Sequence, residues 1–135
     1  MSAVPDDRAR REIEELFAQY ASGFDDADAA AIAACFAFPA VIWQLGEGHV
    51  FEDAEEIEEN AEALIDVFDE AGIVLTTPET TTLLLAGGTA FATVDWRQEG
   101  QDGELLHAFR CHYTLIRHGE AWRIAVIVND EPEGD

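Results

Sequence analysis

The sequence predicts an α+β domain, with helices first and a long antiparallel meander after them. Two patterns carry this. Apolar residues recur at helical spacing in the first half, at Ile13, Leu16, Phe17, Tyr20 and Phe24 and again at Ile57, Ala61, Leu64 and Phe68. From Ile73 onward the period changes, and four β segments are separated by short glycine-bearing turns. Helices set apart from an antiparallel sheet define the class. At 135 residues and 48% apolar, the chain reads as one domain with a sizeable core.

The first helix spans Arg8 to Phe24, with Arg and Glu on its outer face. Gly23 and the acids Asp25, Asp26 and Asp28 break it and cap an alanine-rich second helix. That helix runs to about Phe36, and Pro39 stops it. Residues 40–45, AVIWQL, read as a short strand, with GEG as a turn and HVFE as its hairpin partner. Asp53 caps the third helix, with Glu56 at capping-box spacing, and Gly72 ends it. The β segments cover about 73–85, 89–99, 104–117 and 121–129. The ordered core is expected over 8–129 of the single domain 1–135, with a frayed acidic tail at 130–135.

Charge and composition exclude several functions. There is no Lys; seven Arg face 29 acids, for a formal charge of −22. Such a surface repels phosphate backbones, so neither nucleic acid nor an anionic membrane is expected as a partner. The acidity fits either a salty cytoplasm or an ordinary acidic protein. Cys35 and Cys111, both in apolar surroundings, form neither a disulfide framework nor a metal motif. No apolar leader opens the chain and no stretch nears 18 apolar residues, so a cytoplasmic location is expected. No histidine pair has zinc-ligand spacing, and no phosphate loop or nucleophile elbow is present, so neither metal nor cofactor is expected.

The run LFAQYASGFDDAD leading into CFAFPAVIW, and the closing hairpin YTLIRHGEAWRIAVIV, resemble the nuclear transport factor 2-like superfamily. The resemblance covers about residues 8–129. It implies a cone-shaped, cystatin-like fold: three N-terminal helices packed on a strongly curved antiparallel sheet, with a pocket at the open end. It also implies a homodimer through the outer sheet face. The fold hosts enzymes, binders and scaffolds, so it does not name a function. In the ketosteroid isomerases of this superfamily a first-helix tyrosine reaches the substrate oxyanion, and Tyr20 matches it. Their carboxylate base matches Gln44, which takes no proton. Their second oxyanion donor matches a neighbourhood of Cys111, Tyr113 and Thr114. Against the scytalone dehydratases, Phe24 lacks the matching hydroxyl and Trp96 stands near a histidine position.

Strand alternation puts Leu105, His107, Phe109, Cys111, Tyr113 and Leu115 on the more apolar face of the third long strand, taken as the inner one. Ala92, Val94 and Trp96 join them, as do Ala125, Ile127 and Asn129. Asp95 and Arg97 then form a surface pair, and His112 faces away. Tyr20 as hydrogen-bond donor and His107 as general acid or base are the candidate catalytic residues. Phe24, Trp96, Phe109, Cys111, Tyr113 and Ile127 form the expected walls of a ligand site, with Gln44 and Asn129 orienting the ligand. Two readings follow. One is a domain that binds a small apolar or cyclic molecule and acts on it by proton transfer, as an isomerase, cyclase or dehydratase. The other is a non-catalytic ligand carrier or dimeric scaffold.

Overall fold

The computed structural model describes residues 3–44 and 46–130. Helix α1 spans Ala3–Asp25, α2 Ala29–Ala33 and α3 Ala54–Ala71. The strands are β1 Phe36–Gln44, β2 Glu47–Phe51, β3 Leu75–Ala86, β4 Thr89–Glu99, β5 Leu105–His118 and β6 Ala121–Asp130. They form one six-stranded sheet in the order β2-β1-β6-β5-β4-β3. The four long strands pair antiparallel in sequence order, as the glycine turns require. Among the described residues no helix is long and apolar enough to cross a membrane.

Several expectations need correction. The sheet is mixed, because β1 pairs with β6 in parallel. The second helix is a single turn of five residues ending at Ala33, and the chain is extended from Phe36, through Pro39. The β1–β6 register shifts between Phe36 and Val41, an irregularity that spares Pro39 from the ladder bond it cannot donate. Of the expected tail, Asp130 closes β6, and the rest lies outside the described residues, as does Leu45 at the end of the expected first strand.

Helix ends follow the local chemistry. Asp53 accepts from the Glu56 N–H at 3.1 Å, and Glu56 Oε1 accepts from the Glu52 N–H at 2.7 Å. Gly72 closes α3 at φ 82°, a conformation that favours glycine. Asp28 caps α2 through the Ala31 N–H.

The core lies between α1, α2 and the inner face of the sheet, on Ile13, Phe17, Ile32, Val94, Leu115 and Ile124. A bulge in β6 sets its inward phase. Thr114 pairs with Val126 but Leu115 with Ile124, so Ala125 is skipped. Trp122 and Ile124 face inward before the bulge and Ile127 after it. Ala125 therefore does not share the inner face as the alternation suggested. Asp95 and Arg97 do point outward but not as a pair: Asp95 takes Arg110 at 2.7 Å, and Arg97 lies 3.7 Å from Glu99.

At the α1–α2 corner, Gly23 meets Ile32 so closely that a Cβ would lie 2.6 Å from Ile32 Cγ1. Ile32 is fully buried and β-branched, so it has little room to yield. We expect Gly23→Ala to destabilise the fold by about 1–3 kcal/mol, as overpacked cores do, read from the urea midpoint. A midpoint equal to that of the wild type would show that the corner is loose.

Candidate functional site: an aromatic cavity under the sheet

A cavity of about 150 Å³ lies between the inner sheet face, the end of α1 and the buried stripe of α3. Each wall follows from a sequence pattern. The 3–4 spacing on α1 carries Tyr20 and Phe24 to it. The same spacing on α3 brings Ile57, Ala61, Leu64 and Phe68. Alternation on β4 and β5 brings Trp96, Phe109, Cys111 and Tyr113, and β6 brings Ile127 and Asn129. Gln44 and His107 complete the set of ten residues expected at the site, and all ten line this cavity.

They do not stand as one cluster. Tyr20 and His107 make no direct contact. A run of rings separates them: Tyr20 to Trp96 at 5.9 Å, Trp96 to Phe109 at 6.4 Å, and Phe109 to His107 at 4.9 Å between centroids. His107 lies on the inner face as expected, but beyond the core and exposed to solvent. Gln44 is exposed as well. A second groove of about 290 Å³, on Trp43, Gly46 and Val128, shares Gln44 and Asn129 with the cavity.

The polar atoms divide into used and unused. Trp96 Nε1 donates to the Tyr113 hydroxyl at 2.9 Å, which satisfies the indole, and Cys111 lies beside that hydroxyl. Gln98, expected nowhere in the site, is 1% exposed and lines the cavity. Its Oε1 lies 3.0 Å from His107 Nδ1. An amide oxygen only accepts, so Nδ1 carries the hydrogen of this bond. Tyr20 is held among rings, edge-on to Phe24 and Phe36 and tilted against Trp96. Asn129 Oδ1 is buried without a partner.

Thr76 and Asn60 also line the cavity and were missed. Gln98 was legible, because period two continued from Val94 and Trp96 puts it inward. Thr76 was legible only through pairing, since it stands opposite Gln98 on β3. Its N–H donates to Asp25 Oδ2 at 3.2 Å, tying β3 to the end of α1. Partial burial pushes the Asp25 carboxyl above its usual range, against the pull of that N–H and of the nearby Thr76 hydroxyl. That hydroxyl lies close to Asp25 without meeting hydrogen-bond geometry.

Burial pushes the Tyr20 and Tyr113 hydroxyls far up, so both stay protonated wherever the protein is folded. For Tyr20 the neighbouring Cys111 and Cys35 add to the effect. Cys35 is also buried, lies 3.5 Å from the Ala31 carbonyl oxygen, and is pushed up to about 12. A thiol held so high is a packing group and not a nucleophile.

The family model described as NTF2-like protein (DUF6841) matches residues 11–132. The chain belongs to this NTF2-like family. Among solved structures, an NTF2-like protein with a cystatin-like fold from Novosphingobium aromaticivorans superposes with a TM-score of 0.82 at 19% identity, covering 99% of this chain and 88% of that one. A protein of unknown function from Mycobacterium tuberculosis gives 0.76 at 19% identity, over 99% and 78% of the two chains. One provisionally named a ketosteroid isomerase, from Shewanella frigidimarina, gives 0.68 at 15%, over 86% and 92%. At such identities the likeness shows the NTF2-like α+β fold. No curated protein matches the sequence.

The two tyrosines are the only ones in the chain, so alkaline titration at 295 nm reads the site alone. Their folded pKa values lie above the unfolded value near 10, so the stability they contribute is fully present below pH 10 and is lost as pH rises beyond it. We expect no tyrosinate absorbance until the far-UV signal collapses, with both transitions coinciding. Tyrosinate forming in the still-folded protein near pH 10 would show that water reaches one of these hydroxyls.

Proposed function

We propose that this NTF2-like domain binds a small apolar or cyclic molecule in the cavity between α1, α3 and the sheet. The observation that carries the reading is a cavity of about 150 Å³ with a ring-rich wall and Tyr20, His107, Gln44 and Asn129 among its lining residues. A void of this size admits about one ring, so the ligand is compact. Tyr20 donates to an acceptor on the ligand. His107, held at Nδ1 by Gln98, is the proton acceptor of a transfer reaction such as isomerisation, cyclisation or dehydration. The provisional name of the Shewanella relative points the same way. No Asp or Glu lines the cavity, which favours a carrier if His107 proves dispensable.

A homodimer through the outer sheet face belongs to the same proposal. Trp43, Phe91 and Val128 stand there 46%, 47% and 41% exposed, flanking His112 and Thr93. Sedimentation at micromolar concentration is expected to give a species of twice 14.8 kDa; a species of 14.8 kDa alone would remove the dimer.

The binding claim is tested by filling the cavity. Ala61 is 2% exposed and lines it from α3. A compact ring compound at a hundred times its dissociation constant adds about 2.7 kcal/mol to stability, an upward shift in Tm of several degrees. We expect Ala61→Leu to fold as well as the wild type and to abolish that shift. Tyr20→Phe should weaken ketone-bearing rings about tenfold, the value of one neutral hydrogen bond. An undiminished shift in Ala61→Leu would place the ligand elsewhere and end the proposal.

A further inference from the structure

We infer that Gln98 is the positioning residue for His107: its amide oxygen holds the ring as the Nδ1–H tautomer, so that Nε2 is the nitrogen that takes up a proton. The inference rests on the role of His107 proposed above and names the residue that prepares it. Three observations carry it.

The first is a difference in freedom. Gln98 on β4 stands directly opposite His107 on β5, and both line the cavity. Gln98 is buried, whereas His107 is exposed to solvent. A ring free in water samples both tautomers. One tied at 3.0 Å to a fixed, buried side chain takes the tautomer that its partner demands. An amide oxygen accepts and cannot donate, so the demand is for a hydrogen on Nδ1.

The second is the ring plane. His107 stacks on Phe109 at 4.9 Å and 26°, and Phe109 stacks on Trp96 at 6.4 Å and 21°. Trp96 is itself buried and bonded to Tyr113, so the stack has a firm base. The amide holds one edge of the imidazole and the Phe109 face sets its tilt. Together they fix the direction of Nε2.

The third is the kind of partner. His112 Nε2 lies 3.1 Å from an Asp130 carboxylate oxygen, and His49 Nε2 lies 3.7 Å from one of Glu47. A carboxylate draws a proton onto the ring, and an imidazolium has no lone pair left to accept another. The amide beside His107 orients the ring without bringing a charge. The neutral ring keeps the lone pair that a base needs.

Two-bond 1H–15N correlation spectra of the histidine side chains test this in the full chain, at about pH 9, where a free imidazole is neutral. His107→Gln identifies the His107 signals by their loss. We expect the wild-type ring to carry its hydrogen on Nδ1 with Nε2 bare. Gln98→Met, which keeps the length of the side chain and removes the acceptor, should lose that preference. Gln98→Glu, which keeps an acceptor at the same place, should restore it. A side chain that served packing alone would leave the tautomer unchanged in Gln98→Met. A wild-type ring with its hydrogen on Nε2, or divided between the two nitrogens, would overturn the inference. An Nδ1–H preference that survives in Gln98→Met would overturn it too. If Gln98→Met does not fold, the wild-type spectrum still decides. The spectra need no ligand, whereas the binding role is read from the thermal shift, so failure of one is distinguishable from failure of the other.

Discussion

The site depends on the way Phe17 is wedged against Trp96 and Tyr113. Phe17 is 1% exposed, with its ring 4.8 Å from Tyr113 and 6.4 Å from Trp96 in edge-on geometry. Each such pair contributes about 0.5–1.5 kcal/mol beyond burial, and the Trp96–Tyr113 hydrogen bond removes two polar atoms that would each cost about 1–3 kcal/mol unpaired. The contact fixes both the height and the rotation of α1 over the sheet. Tyr20, one turn further along, is then held at the chamber, while the Tyr113 oxygen accepts from Trp96.

The chamber persists because its walls are held from different places. α1 packs on β3 and β6, whereas α3 packs chiefly against α2 and β2. The large side chains that could close the gap are engaged with one another: Tyr20 with Phe24 and Phe36, and Phe24 with Phe68.

The fold and the inner faces were legible because periodicity is a local property. Ile57, Ala61, Leu64 and Phe68 announce one helical face, and Trp96 and Phe109 announce one sheet face, whatever lies opposite. Asp53 and Gly72 mark the ends of α3 for equally local reasons. What was hidden depends on pairing across the chain. The parallel β1–β6 ladder joins residues far apart in sequence, and nothing near Pro39 announces that the strand runs through it. The β6 bulge moved Ala125 off the inner face, since a one-residue insertion reverses every later side chain. Thr76 enters the site by register with Gln98 alone, and the rings that link Tyr20 to His107 come from strands paired across the sheet.

The account stands on an open chamber walled by Tyr20 and the rings around it. Diffraction from crystals held under xenon tests it most directly, because xenon enters apolar voids without needing a polar partner. The account predicts a strong xenon peak enclosed by Tyr20, Trp96, Ile57 and Phe109. A chamber closed by its own side chains, with no xenon, would contradict it.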